Sequence, residues 1–171
     1  MSGMSLKCGL ILAAGSMIAL SGCAGSSTQT EQNNEPTAAI TAPQHQQYRN
    51  TSEGYTLTYP QQWQNDVIER DSAEWMGQTL SAENVAMFYY KDYASDGTPQ
   101  PLVALAVYTQ AQWDQLKSQS QPLPPIMARK DDRILAAYIA SANPYDPTSS
   151  NGQAFARKVP TPDQLSSAIS W

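Results

Sequence analysis

Leu102-Val103-Ala104-Leu105-Ala106-Val107-Tyr108-Thr109 is the longest β-like run in the chain. Apolar on both alternating sets of positions, it reads as a central strand of a sheet. Thr109 then caps a helix expected through Lys117, with Trp113 and either Leu116 or Lys117 turned inward. On the N-terminal side, Val85 to Tyr90 reads as a strand, closed by the turn-rich segment from Lys91 to Pro99. On the C-terminal side, Pro122, Pro124 and Pro125 break the chain. Ile126–Arg129 and Ile134–Ala140 follow as a hairpin turning at Lys130-Asp131-Asp132.

Farther out the punctuation stays clear. Asn143-Pro144-Tyr145-Asp146-Pro147 is a rigid loop before a short helix near Gln153 to Lys158. Thr161-Pro162-Asp163-Gln164 combines an N-cap Thr, a first-turn Pro and Asp, and a Gln that completes a capping box. The final helix carries Leu165 and Ile169 on one face. Toward the N-terminus, Tyr55-Thr56-Leu57-Thr58-Tyr59 alternates as a first strand, stopped by Pro60, and the turn through Trp63 drops an aromatic back onto the sheet. Asn65 to Arg70 is a second short strand. Ser72 to Ala82 reads equally as one amphipathic helical turn or a loop.

These elements predict an α+β domain: a mostly antiparallel six-stranded sheet flanked by two or three helices. Gly54-Tyr55-Thr56-Leu57-Thr58-Tyr59-Pro60-Gln61-Gln62-Trp63 resembles the opening of PsbP-like and Mog1-like domains. The strand–helix order of Leu102–Lys117, and the later strand pair with its C-terminal helix, are similar to theirs. The resemblance implies an α/β/α sandwich over residues 51–171, serving as a binding module with no shared catalytic residues.

The N-terminus belongs to a different kind of segment. Lys7, the apolar run from Cys8 to Leu20 and the small residues Ser21-Gly22 form a secretory leader over residues 1–22. The run is shorter than the ~20 residues a membrane-spanning helix needs. Leu20-Ser21-Gly22-Cys23 resembles the lipobox of bacterial lipoproteins. That resemblance implies diacylglyceryl on Cys23, cleavage before it, and a membrane as partner; two acyl chains suffice for stable anchoring. Residues 23–50, rich in Ser, Thr, Gln, Asn, Glu, Pro and Ala, read as a solvated tether. A flexible segment of that length spans roughly 25–30 Å. In an envelope with two membranes, Ala24 lacks the Asp that favours inner-membrane retention.

Charge and chemistry narrow the functional classes. Ten Lys and Arg against fifteen Asp and Glu give −5, and loss of Lys7 with the leader makes the balance more acidic still. Such a chain lacks the basic footprint of a nucleic-acid binder. Both cysteines, Cys8 and Cys23, lie outside the folded domain, and the single His45 falls in the tether. The domain therefore has no Cys or His for nucleophilic catalysis or metal ligation, and no cofactor is expected. Carboxylates such as Asp66, Glu69, Glu83, Asp131 and Asp132 sit at turns and strand ends, where solvation alone explains them. Asp92 to Gly97 departs from a calcium loop at Ala94 and reads as a β-turn.

Tyr and Trp far outnumber Phe. Each offers an apolar body with a polar tip, the chemistry of contact surfaces. Tyr90, Tyr93, Trp75 and Tyr145 are the candidates for an exposed binding surface, since Tyr89 and Tyr90 must point to opposite faces of their strand. The expectation is a lipid-anchored, extracytoplasmic, non-catalytic module that binds a partner protein or envelope polymer. The alternatives are a carboxylate-based glycan hydrolase at the cell surface and a small solute-binding accessory lipoprotein.

Overall fold

The computed structural model describes residues 46–70, 72–91 and 97–171. Its strands are β1 (Gln47–Arg49), β2 (Thr56–Thr58), β3 (Val67–Arg70), β4 (Glu74–Trp75), β5 (Gln78–Thr79), β6 (Asn84–Tyr90), β7 (Gln100–Thr109), β8 (Ile126–Lys130), β9 (Arg133–Ile139) and β10 (Ile169–Ser170). Its helices are α1 (Gln110–Ser118), α2 (Ser150–Lys158) and α3 (Pro162–Ala168). None of the described helices is long and apolar enough to cross a membrane.

The expected central strand is central. Strands β3-β6-β7-β9-β8 form a five-stranded sheet in that order, every neighbouring pair antiparallel. Residues Leu102 to Val107 of β7 are wholly excluded from solvent, as expected of a strand covered on both faces. The hairpin turns at Asp131 (φ 51°), with Lys130 opposite Arg133. Asp is among the few residues with a side chain that tolerate this left-handed conformation.

The expected sixth strand is not in that sheet. β2 is bordered on one side by β1 and on the other by β10, making a separate three-stranded sheet. With both edges occupied, it packs face to face on the larger sheet instead of extending it. Order also starts earlier than the expected Thr51. β1 lies inside the segment read as tether because Tyr48 supplies an aromatic anchor, 5.4 Å from Phe88. The ambiguous stretch from Ser72 is neither helical turn nor plain loop. It is the tiny β4–β5 hairpin, turning through Met76 (φ 49°) and Gly77 (φ 80°). Two successive positive φ values are those of a type I′ turn, which suits a two-residue hairpin loop.

Alternation along the strands divides the core in two. Val103, Leu105 and Val107 of β7 join Phe88, Tyr90, Leu135 and Ala137 on one face. The small sheet, α2 and α3 cover that face through Tyr55, Leu57, Phe155 and Leu165. Trp63, dropped back by the turn after β2, is fully buried there, and its indole N–H donates to the Lys158 carbonyl at 2.7 Å. Ala106, Tyr108, Ile134 and Ala136 occupy the opposite face, where α1 lies with Trp113 inward. The expected cap on Thr109 and the expected capping box on Thr161 with Gln164 both form, and Thr109 proves to make a full capping box with Gln112.

Candidate functional site: an uncharged cleft beside helix α1

The face under α1 has a gap built into its sequence. Ala106 of β7 stands directly opposite Ala136 of β9, so two methyl groups occupy the place where large side chains would meet. Tyr108 lies two residues beyond one alanine and Tyr138 two beyond the other, all on the same face. Both phenols lean over the alanines until their hydroxyls meet at 2.8 Å. Above the two rings lies a cavity of about 130 Å³, with Tyr108 and Tyr138 among its walls.

Three segments wall it. α1 and its C-cap contribute Gln112, Gln115, Leu116 and Gln119, which helical spacing aligns on one flank. The β4–β5 hairpin contributes Trp75 and Gln78, with the indole 6.2 Å from the Tyr138 ring. Gln121 to Pro124, just after α1, closes the rim and leaves Leu123 exposed. No lining residue carries a charge.

Hydrogen bonding sets the polarity of the walls. The Gln112 carbonyl oxygen accepts from the Thr109 N–H at 2.9 Å, so its amide N–H donors remain for the cleft. Tyr108 is almost fully buried, and Tyr138 half-buried. We assign the shared proton to Tyr108, because Tyr138 can then direct its own O–H toward the open side. Burial raises both phenols above the ordinary tyrosine value, and their hydrogen bond pushes Tyr108 up further. Both are therefore neutral donors and acceptors at physiological pH. The arrangement can stack against a ligand and hydrogen-bond it.

The aromatic candidates separate sharply. Trp75 lines the cleft as a half-buried wall. Tyr90 is instead core, on the same face as Ala86 and Phe88, with its ring 5.9 Å from Phe155. The outward member of the adjacent pair is the half-buried Tyr89, with the Arg70 guanidinium 5.9 Å above its ring. Tyr145 is also drawn inward, packing on Tyr90 and Phe155. Tyr90 is therefore buried, and Tyr145 is half-buried against it. Tyr93 and Cys23 lie outside the described residues.

Sequence reading missed Tyr108, Tyr138 and the glutamine flank. One signal was present, since Gln112, Gln115 and Gln119 recur at helical spacing around Trp113. Elsewhere among the described residues, three carboxylates converge on Arg133. Arg133 holds Glu53 at 3.5 Å and Glu83 in direct contact, both through Nη1. Its Nε also lies 3.6 Å from Asp132, so all three acids are ion-paired to one guanidinium. Among the described residues, no group of three or more His, Cys, Asp or Glu could hold a metal.

No family model, curated protein or solved structure matches the chain.

Proposed function

We propose that this chain is a bacterial surface lipoprotein, anchored through diacylglyceryl on Cys23. Its α+β domain, of PsbP-like or Mog1-like kind, binds an uncharged envelope component without transforming it. One observation carries the reading: a cleft of about 130 Å³ walled by Trp75, Tyr108, Tyr138 and glutamines, with no charged lining residue. Such a wall supplies contact and hydrogen bonds, whereas general acid–base catalysis needs a group that titrates near the working pH.

Two measurements on cells test it. Cys23→Ala abolishes incorporation of labelled palmitate, and unchanged labelling overturns the anchor. A photo-crosslinking residue at Leu123, on the cleft rim, captures an envelope component that the same residue at Arg157, on α2, does not. Equal capture from both positions overturns the cleft as the binding site. Glycan hydrolysis abolished by Glu83→Gln would establish the hydrolase instead.

A further inference from the structure

We propose that the cleft takes one uncharged pyranose ring, stacked on Trp75 and hydrogen-bonded by Tyr138 and the α1 glutamines. The inference rests on the binding role above and names its ligand class. Size is the first argument. The cleft holds about 130 Å³, less than the cavity of about 150 Å³ that admits benzene in another protein, so it seats one face of a single pyranose ring while the sugar's substituents stay in solvent. A longer or branched group would have to leave through the rim at Leu123.

Chemistry is the second. A pyranose has an apolar face of C–H bonds and an equatorial belt of hydroxyls, and the cleft mirrors both. Trp75 presents an indole at one wall. Gln112 offers amide donors because its oxygen is held by Thr109. Gln115 presents a complete amide with both donor and acceptor. With Tyr108 assigned as the donor of their 2.8 Å bond, Tyr138 keeps its own O–H for a ligand.

Charge is the third argument. A carboxylate or phosphate in the cleft would lose water without gaining a cation, an unfavourable transfer. An ammonium group would find no anion.

The test is a titration of the full lipidated chain, held in a detergent without a sugar headgroup. Glucose, N-acetylglucosamine and glucuronate serve as probes. Indole and glutamine side-chain N–H resonances are the readout, the Trp75 signal being assigned with Trp75→Phe. The expected result is saturable binding of a neutral sugar at about 1 mM, a typical strength for a small, weakly held ligand. Trp75→Ala weakens it by about tenfold, equal to about 1.4 kcal/mol. Gln115→Ala, on the exposed side of α1 where folding is not at stake, weakens it severalfold. Glucuronate binds at least about tenfold more weakly than glucose.

Absence of saturable binding by either neutral sugar up to about 100 mM overturns the inference. Equal binding of glucuronate, or binding indifferent to Trp75→Ala and Gln115→Ala, overturns it too. Selective crosslinking from Leu123 alongside failed sugar titrations would remove the ligand class and leave the binding role standing. Failure of both experiments would remove both.

Discussion

The hydroxyls of Tyr108 and Tyr138 meet at 2.8 Å although their strand positions lie four residues apart in register, Tyr108 facing Ile134 and Tyr138 facing Ala104. Ala106 and Ala136, paired between them, leave the room that lets the rings converge. The two ends of this bond are not equivalent. Removing the Tyr138 hydroxyl strands the buried Tyr108 O–H, while removing that of Tyr108 leaves Tyr138 free to turn to solvent. Tyr138→Phe should therefore cost about 1–3 kcal/mol, and Tyr108→Phe no more than about 1 kcal/mol. The double Phe variant should recover part of the Tyr138→Phe loss. Urea unfolding of the three variants checks the order, and equal single losses would contradict the assigned proton.

Alkaline pH should unfold this domain early. Burial is the main cause holding Tyr55, Tyr59 and Tyr108 protonated: Tyr59 is pushed up to about 12, and the other two rise further. In the unfolded chain these phenols ionise near the ordinary value of 10.0. Above that pH the folded state holds more protons than the unfolded one, so stability falls as pH rises. The stabilisation is complete below pH 10 and is lost on passing upward through the folded values. Each phenol still protonated in the fold but ionised in the unfolded chain removes about 1.4 kcal/mol per pH unit. The urea midpoint should be flat from about pH 7 to 9 and drop steeply above about 10, with tyrosinate absorbance appearing together with unfolding. Ionisation ahead of unfolding would show that the rings are accessible to solvent.

Some elements were plain in the sequence because their signals are local. β7 is a long apolar run, and α1 and α3 each begin with a Thr and a Gln three residues later, which bond reciprocally. What sequence left hidden depends on distant partners. The small sheet needs Leu57 beside Ile169, and each of its outer strands is too short to signal itself. Trp75 and Gln78 pair across a turn in which Met76 takes a left-handed conformation unusual for a residue of its kind. The cleft was hidden for a further reason. It gathers Tyr108, Tyr138, the α1 glutamines and Trp75 from four separate segments, and no local pattern shows that they meet.

Asn50 joins β1 to the larger sheet and should be intolerant of change. It is buried, and its amide donates to the Asn84 oxygen at 2.6 Å and to the Tyr48 hydroxyl at 3.1 Å. Its own oxygen accepts from the Ser52 hydroxyl and the Glu53 N–H. Asn50→Ala leaves several of these groups without a partner, at a cost of about 2–3 kcal/mol. Asn50→Asp should be at least as harmful, because it loses both donors and sets a carboxylate against the Asn84 oxygen. Thermal unfolding of the two variants, with slowed hydrogen exchange lost first in β1, checks the prediction. A neutral result for Asn50→Asp would show that the Asn84 amide can turn to serve it.

Gly152, in the first turn of α2, tests whether the two faces of the large sheet are independent. A Cβ there would overlap the Asp146 carbonyl oxygen and fall within 2.8 Å of its carbon. That backbone is tied down in turn, because the Asp146 carbonyl accepts from the Ser149 N–H and hydroxyl. Asn143 also reaches the Gly152 carbonyl at 2.8 Å, so loop and helix move only together. Gly152→Ala should therefore displace Tyr145 from its place between Tyr90 and Phe155, lowering stability by about 2–4 kcal/mol. Arg157→Ala, exposed on the same helix, should change it by no more than about 0.5 kcal/mol. The cleft lies across the sheet, on the α1 side. Below its melting temperature the Gly152→Ala variant should keep the ligand response of the parent chain, measured by the same side-chain resonances. Loss of that response in the folded variant would mean that α2 packing is transmitted through β6 and β7 to Tyr108 in the wall of the cleft.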